Sequence, residues 1–313
     1  GGNIMPIYQG VWSLTTQMQN ASGWPSPPPD AGFFFEGSGQ TNIDQINMIS
    51  ASAATDFGNL TVTPQLPAAL SNTTRLVVGG LRDDNNSIEY WSTSSGGSST
   101  DFGDLLTTRY GRLTVNNPTR GVFAGGYNGG AKADIEYITI ASTGNGTDFG
   151  DLTRDLYKGF GTICSPTRGV FSDGYTNGTS FNQSNVIEYI TIASTGNSTD
   201  FGDDTVSRDY GAGASNSTRG LIAGGTVGSS GSDIITYITI ASTGNATDFG
   251  DLSASGPRLG GTANLTKAFF CSTIFGGSGF VKYVTISSTG NSADWGAGLS
   301  SEYGTSISHG GLQ

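Results

Sequence analysis

Apolar and polar positions alternate with period two in IEYITI (Ile135–Ile140), which sets Ile135, Tyr137 and Thr139 on one side and Glu136, Ile138 and Ile140 on the other. Strict alternation over a short run predicts a β-strand. Apolar groups on both sides predict a sheet covered on both faces. Ahead of such strands stand solid apolar runs closed by glycine: FFFEGSG (Phe33–Gly39), RLVVGG (Arg75–Gly80), RGVFAGG (Arg120–Gly126), RGVFSDG (Arg168–Gly174) and RGLIAGG (Arg219–Gly225). KAFFCSTIFGG (Lys267–Gly277) is a stretched sixth copy. Behind the alternating strand come an STGNxT turn and a DFGDL segment. A further strand-forming stretch such as TRDLYKGFGTICSPT (Thr153–Thr167) then leads to the next Arg-Gly.

The pattern is written six times. YITIASTGNATDFGDL (Tyr237–Leu252) returns nearly unchanged at Tyr137–Leu152 and Tyr189–Asp204, and more loosely at Gln45–Leu60, Tyr90–Leu105 and Tyr283–Gly298. The marker aspartates Asp56, Asp101, Asp148, Asp200, Asp248 and Asp294 fall 45 to 52 residues apart. Six units of that length, each with four short antiparallel strands, predict an all-β fold of six blades, a β-propeller, over residues 32–313. The last unit is followed by SSEYGTSISHGG (Ser300–Gly311), similar to RDYGAGASNSTRG (Arg208–Gly220), and no seventh unit follows. The C-terminal strand is therefore expected to complete the first blade and close the ring, removing exposed sheet edges. Residues 1–31 stand outside the repeat as a lead-in or attachment segment: Val11–Trp24 has poor helical spacing, and Ser26–Gly32 is a proline-stiffened connector. They either lie on the propeller or join it to an upstream domain or partner subunit.

Composition changes this picture little. The chain has 50 glycines and only 12% charged residues, yet its regular apolar strands distinguish it from a disordered chain. Fourteen basic residues stand against 25 acidic ones, a net charge of −11, which argues against nucleic acid and anionic membrane as partners. No apolar run approaches the ~20 residues of a spanning helix, so membrane insertion is not expected. Cys164 and Cys271 fall in different units at non-equivalent positions, too far apart for a disulfide, and are expected to be small buried residues.

The repeats also absorb most candidate chemistry. Asp148 with Asp151, and Asp248 with Asp251, have the look of paired carboxylates, but catalysis needs one pair in one cleft and these recur round the molecule. They read as turn aspartates bonding their own backbone; calcium in these turns is the alternative. Arg75, Arg120, Arg168, Arg219 and Lys267 head the apolar strand, and Arg109, Arg154, Arg208 and Arg258 follow DFG. All nine are expected to bond the Asp turns or neighbouring carbonyls as ties between units. Only Arg82 and Arg112 escape the pattern, one short of the arginine trio of a sialidase-like centre. His309 is the single histidine, too few for a copper oxidase or a His-rich zinc site, and no nucleophile motif or P-loop accompanies it. No catalytic residue, metal ligand or cofactor is assigned. The sequons at Asn145, Asn197 and Asn245 are by-products of the turn.

If loops alternate between the ends of each sheet, the STGNxT and SPTRG-type turns share one end and the variable loops gather at the other. The variable loops are Leu81–Ser87, Tyr127–Asp134, Tyr175–Asn185 and Thr226–Asp233. Their Tyr, Asn, Asp and Phe side chains suit sugar stacking and adaptable hydrogen bonding, so Asp83, Asp84, Asn85, Tyr127, Asn128, Tyr175, Asn177 and Phe181 are the candidate ligand-binding residues.

Two resemblances sharpen the expectation. RGVFAGG, Tyr137 and Phe149, and again Gly225, Tyr237 and Phe249, resemble the kelch repeat: an apolar strand closed by Gly-Gly, a Tyr in the next strand, an aromatic opening a later one. Trp295 supplies the usual Trp in the last copy; the first unit departs, with Gln45 for Tyr and EGSG for Gly-Gly. The STGNxTDFGDL repeats with a GVWSL…QMQ…GWP lead-in (Gly10–Pro25) resemble repeat proteins of aquatic tailed bacteriophages. That resemblance implies a non-enzymatic virion structural or adhesion protein, as in a tail fibre, appendage or capsid decoration. Its partners would be other virion proteins or copies of itself through the lead-in, together with host-surface glycans. A secreted lectin-like propeller is the alternative reading, and a glycan-active enzyme the third.

Overall fold

A computed structural model describes residues 31–35, 40–159, 163–176, 182–256, 258–272 and 280–296. Every regular element among them is a strand, so the chain is all-β. The expectations placed on residues 1–30 of the lead-in and on a closing strand within residues 297–313 fall outside the described residues.

The second to sixth repeats each form an antiparallel meander. Their first strands are Ala68–Ser71, Leu113–Asn116, Ile163–Cys164, Ala212–Ser215 and Gly260–Ala263. Each is supplied by the tail of the preceding repeat and pairs with the apolar strand that follows it, as Val115 does with Val122. The apolar strands Arg75–Gly79, Arg120–Ala124, Arg168–Ser172, Arg219–Ala223 and Lys267–Ser272 come second. The alternating strands Ser87–Ser92, Lys132–Thr139, Asn182–Thr191, Ile234–Thr239 and Phe280–Thr285 come third. The DFG strands Ser95–Asp104, Thr147–Leu156, Thr199–Arg208, Thr247–Asp251 and Ala293–Asp294 come last. The first repeat contributes three strands, Ala31–Phe35, Asn42–Asn47 and Thr55–Asn59.

DFG is a strand motif, which corrects its reading as a turn. Ile135 faces Gly150 and Glu136 faces Asp148, so Phe149 is the extra residue of a β-bulge. The same skip recurs at Phe57, Phe102, Phe201 and Phe249. A bulge re-aims one side chain without ending the ladder, and here it turns the phenylalanine into the core. Phe149 is 2% exposed, a burial that contributes roughly 1.5–3 kcal/mol. Tyr137 meets Phe149 edge-on with ring centroids 6.0 Å apart, and the Arg120 guanidinium lies 4.1 Å from the Tyr137 centroid. Arg75, Arg168 and Arg219 lie likewise over Tyr90, Tyr189 and Tyr237.

Consecutive units share one core. Phe102 clusters with Phe123 and Ile138, Phe149 with Phe171 and Ile190, Phe201 with Ile222 and Ile238, and Phe249 with Phe270 and Val284. Phe57 packs with Leu76 and Trp91 of the second unit. The sixth unit packs on the first in the same way, Phe269 and Trp295 joining Phe34, Ile46 and Met48. Trp295 Nε1 donates to the Asn47 carbonyl at 2.9 Å, and Asn264 Nδ2 to that of Met48 at 3.2 Å.

Hydrogen bonding does not keep all units separate. It gathers the described strands into sheets of seven, four, five, four, two and four strands. The seven-stranded sheet arises because the DFG strands of the first two units pair in parallel, Gly58 with Gly97 and Asn59 with Ser98. Where later units carry the STGN turn, the second carries SSGGSST. Gly96 and Gly97 let that segment lie flat on its neighbour, and a Cβ at Gly96 would overlap the Phe57 carbonyl. The two-stranded piece is a hairpin within the fifth unit's loop, Thr226–Val227 with Ser230–Gly231.

Candidate functional site

The two ends of the sheets do different work. At one end the STGNxT turn lies beside the turn leading into the apolar strand: Ile140 N–H donates to the Thr119 carbonyl at 2.9 Å, and Ile192, Ile240 and Ile286 repeat the bond. This end is a set of joints. Gly144 N–H donates to the Phe102 carbonyl at 2.7 Å, and the Asn145 Oδ1 accepts the Asp104 N–H at 3.0 Å. Asn197, Asn245 and Asn291 hold Asp151, Asp203 and Asp251 in the same way. The glycine of DFG belongs to this joint: at Gly150 a Cβ would come 2.5 Å from the Gly196 carbonyl oxygen of the next unit. The arginines heading the apolar strands reach the next unit's carbonyls, Arg75 to Ile140, Arg120 to Ile192, Arg168 to Ile240 and Arg219 to Ile286, at 2.8–2.9 Å. Of the two partners expected for them, they take carbonyls.

A second set of arginines is buried with carboxylates. Arg112 pairs with Glu136 at 2.6 Å and Arg154 with Glu188 at 2.8 Å. The fifth unit has Thr236 where the second, third and fourth have glutamate, and the fourth has Asp204 where the second, third and fifth have leucine after DFGD. The missing carboxylate is thus supplied from across the joint: Arg208 binds Asp204 Oδ2 at 2.8 Å and still contacts Thr236 Oγ1 at 3.2 Å. Asp173 lies 3.7 Å from the same guanidinium, fully buried, with neither oxygen hydrogen-bonded among the described residues. Burial, then the neighbouring Asp204, hold its carboxyl well above the usual carboxylate range.

The opposite end carries the variable loops. Tyr127 and Tyr110 exchange backbone hydrogen bonds, as do Tyr175 with Tyr157 and Thr226 with Asp209. Each pair fixes a loop to the segment before a first strand. Those segments are bonded to one another in turn: Gly111 N–H to Leu66 O, Lys158 N–H to Gly111 O, Tyr210 N–H to Lys158 O and Leu259 N–H to Tyr210 O, at 3.0–3.1 Å. The result is a line of rings, Tyr110–Tyr127 at 5.5 Å, Tyr127–Tyr157 at 4.9 Å and Tyr157–Tyr175 at 5.7 Å. Lys158 Nζ lies 4.9–5.3 Å from the centroids of Tyr157, Tyr175 and Tyr210, and the Arg258 guanidinium 5.0 Å from that of Tyr210.

Burial sets the electrostatics of this cluster. It raises the phenols of Tyr110, Tyr157, Tyr175 and Tyr210, with neighbouring tyrosines adding at Tyr110 and Tyr157. It lowers Lys158 despite the opposing pull of Asp209. Burial also raises Asp209 against the effect of Gln183, whose Nε2 donates to Asp209 Oδ1 at 2.6 Å and to the Thr226 carbonyl at 2.9 Å.

Of the residues singled out in the sequence, Tyr127 and Tyr175 stand in this cluster. Asn128 adjoins it, its Nδ2 donating to the Thr108 carbonyl at 3.0 Å. Asp83 and Asp84 are exposed on the second unit's loop, where Asp84 pairs with Arg82, while Asn85 caps its own turn by accepting the Ser87 N–H. Asn177 and Phe181 lie outside the described residues. Tyr110, Tyr157, Tyr210, Lys158 and Arg258 were missed. Their signal was a tyrosine beside glycine before the first strand, in RYG, LYKG and DYG.

Among the described residues no group of three or more His, Cys, Asp or Glu side chains is placed to hold a metal ion. A shallow depression of about 220 Å³ lies away from the cluster at the sixth STGN turn, lined by Tyr283, Thr285, Ser288 and Asn291 with no carboxylate or amine. Both cysteines are buried. No protein-family model matches the chain, and no curated protein sequence matches it.

Proposed function

We propose that the six units are blades of a closed, kelch-like propeller that acts as a non-enzymatic recognition module, with its loop end as the contact face and carbohydrate as the ligand. The contacts of Phe269, Trp295 and Asn264 with the first unit support the ring. The observation that carries the functional reading is the line of tyrosine rings at the loop end, Tyr110, Tyr127, Tyr157 and Tyr175, opposite an end given over to joints. Tyr157 is buried within the line; the partly exposed Tyr110, Tyr127 and Tyr175 offer rigid flat faces and hydroxyls, the chemistry that holds a sugar ring. The phage-like repeats and lead-in give the setting: a virion fibre, appendage or decoration protein contacting the host surface, attached through the lead-in.

Electron micrographs of the purified chain test the ring, where a six-lobed disc is expected and an elongated stack would reject it. Binding to host cells and to a glycan array tests the face. Tyr127→Ala and Tyr175→Ala are expected to lower binding at least about tenfold, ~1.4 kcal/mol, with little change in melting temperature. Unchanged binding would reject the assignment. Recovery of the chain free of particles would move it to the secreted lectin class.

A further inference from the structure

Tyr210 and Arg258 stand two residues ahead of the first strands that begin at Ala212 and Gly260, Lys158 stands five ahead of Ile163, and all three adopt the left-handed backbone conformation, with φ of 55°, 61° and 56° in that order. The corresponding position in the third unit is Gly111, with φ of 65°. A side chain in that conformation costs roughly 1–2 kcal/mol relative to glycine. The fold therefore accepts glycine here, yet three units carry large side chains, and those side chains meet. Strain kept where the fold does not need it points to a ligand.

The chemistry of the three is specific. Lys158 and Arg258 both lie within 5.0 Å of the Tyr210 ring. Lys158 is half-buried and Arg258 exposed; among the described residues neither has a carboxylate within 4.0 Å, in a chain of net charge −11 whose buried Arg109, Arg112 and Arg208 are each paired. Asp209 acts on both cations only from beyond ion-pair distance, and its Oδ1 accepts from Gln183 Nε2 at 2.6 Å. Two cations flanking an aromatic face, with further tyrosines alongside, are suited to a planar anion on a ring that stacks.

We propose that this cluster binds a carboxylated sugar residue, its carboxylate held by Lys158 and Arg258 and its ring laid on the tyrosines. This rests on the reading of the loop end as a carbohydrate face and names the sugar class.

The test is calorimetry on the full chain with tri-galacturonate, its methyl ester, sialyllactose and lactose. One of the two acids is expected to bind at least about tenfold more tightly than its neutral counterpart, ~1.4 kcal/mol. Which acid binds separates uronate from sialate. Lys158→Gly and Arg258→Gly, each copying the glycine found at Gly111, are expected to erase that preference for the acid while leaving the melting temperature unchanged or higher. Equal binding of acid and neutral forms, no binding of either acid, or full acid binding by the Lys158→Gly and Arg258→Gly double variant would each overturn the proposal. If Tyr127→Ala still weakens neutral-glycan or host-cell binding, the carbohydrate face survives that failure. If it does not, both readings fall.

Discussion

Asp173 offers the sharpest test of the energetics. It occupies the position held by Gly80, Gly125 and Gly224 in other units, with φ of 61° against their 60–64°. Its carboxyl is fully buried, and its oxygens lack hydrogen bonds among the described residues. Replacing it by glycine removes an unsatisfied buried polar group, worth about 1–3 kcal/mol, and left-handed strain of roughly 1–2 kcal/mol. Opposing this are the extra freedom of glycine in the unfolded chain, about 0.5–1 kcal/mol, and the 3.7 Å contact with Arg208. Arg208 keeps Asp204 at 2.8 Å and the carbonyls of Gly224 and Ile234 at 3.1 and 2.9 Å. Asp173→Gly is therefore expected to stabilise by about 1–3 kcal/mol at pH 8. The folded carboxyl holds its proton more tightly than the unfolded one. Its contribution to wild-type stability is thus full below the unfolded carboxyl range, near pH ~4, and is lost as pH rises through the raised folded value. The advantage of the variant should accordingly shrink toward pH 4. Thermal melts of both proteins from pH 4 to pH 8 would measure this. A variant no more stable at pH 8, or one whose advantage is the same at both ends, would refute the reasoning.

Three further outcomes follow from the joints and the loop end. Asp204→Leu strips the buried Arg208 of its closest carboxylate and should destabilise by about 3 kcal/mol; adding Thr236→Glu should restore most of it, so denaturant titrations of the four proteins of the cycle should show strong coupling rather than additivity. Gly150→Ala drives a Cβ into the Gly196 carbonyl and loosens three hydrogen bonds, at Gly196, Ser198 and Asp151; a loss of ~2–4 kcal/mol is expected, against ~1 kcal/mol for Gly129→Ala, whose added Cβ meets nothing. Ultraviolet titration should show part of the 12 tyrosines ionising above the ordinary phenol range, as burial of Tyr110, Tyr157, Tyr175 and Tyr210 requires; a single ordinary transition would contradict this.

The strand framework was legible because each position is stated several times. An isolated DFG reads as a turn from its Asp and Gly, and only the pairing of Ile135 with Gly150 and Glu136 with Asp148 exposes the bulge. For the arginines heading the apolar strands, carbonyl ties were one of two partners that their fixed place in the repeat suggested. The replacement of Glu by Thr236 with Leu by Asp204 left no trace in either repeat alone, since the two halves of that exchange sit in different units. The tyrosine cluster was half legible. Tyr127 and Tyr175 lie in loops whose variation drew notice, whereas Tyr110, Tyr157 and Tyr210 lie in connectors that read as scaffold. What brings them together is hydrogen bonding between successive connectors, a contact between residues about 50 apart in the chain.

From the third unit to the sixth, every joint uses the same donor, acceptor and glycine. Recombination within the near-identical stretches Tyr137–Leu152, Tyr189–Asp204 and Tyr237–Leu252 would join half of one unit to half of another with its bonding groups intact. A gene built this way can shuffle its loops as cassettes without redesigning the seams. The parallel pairing of Gly58 with Gly97 marks the seam where such an exchange would fail.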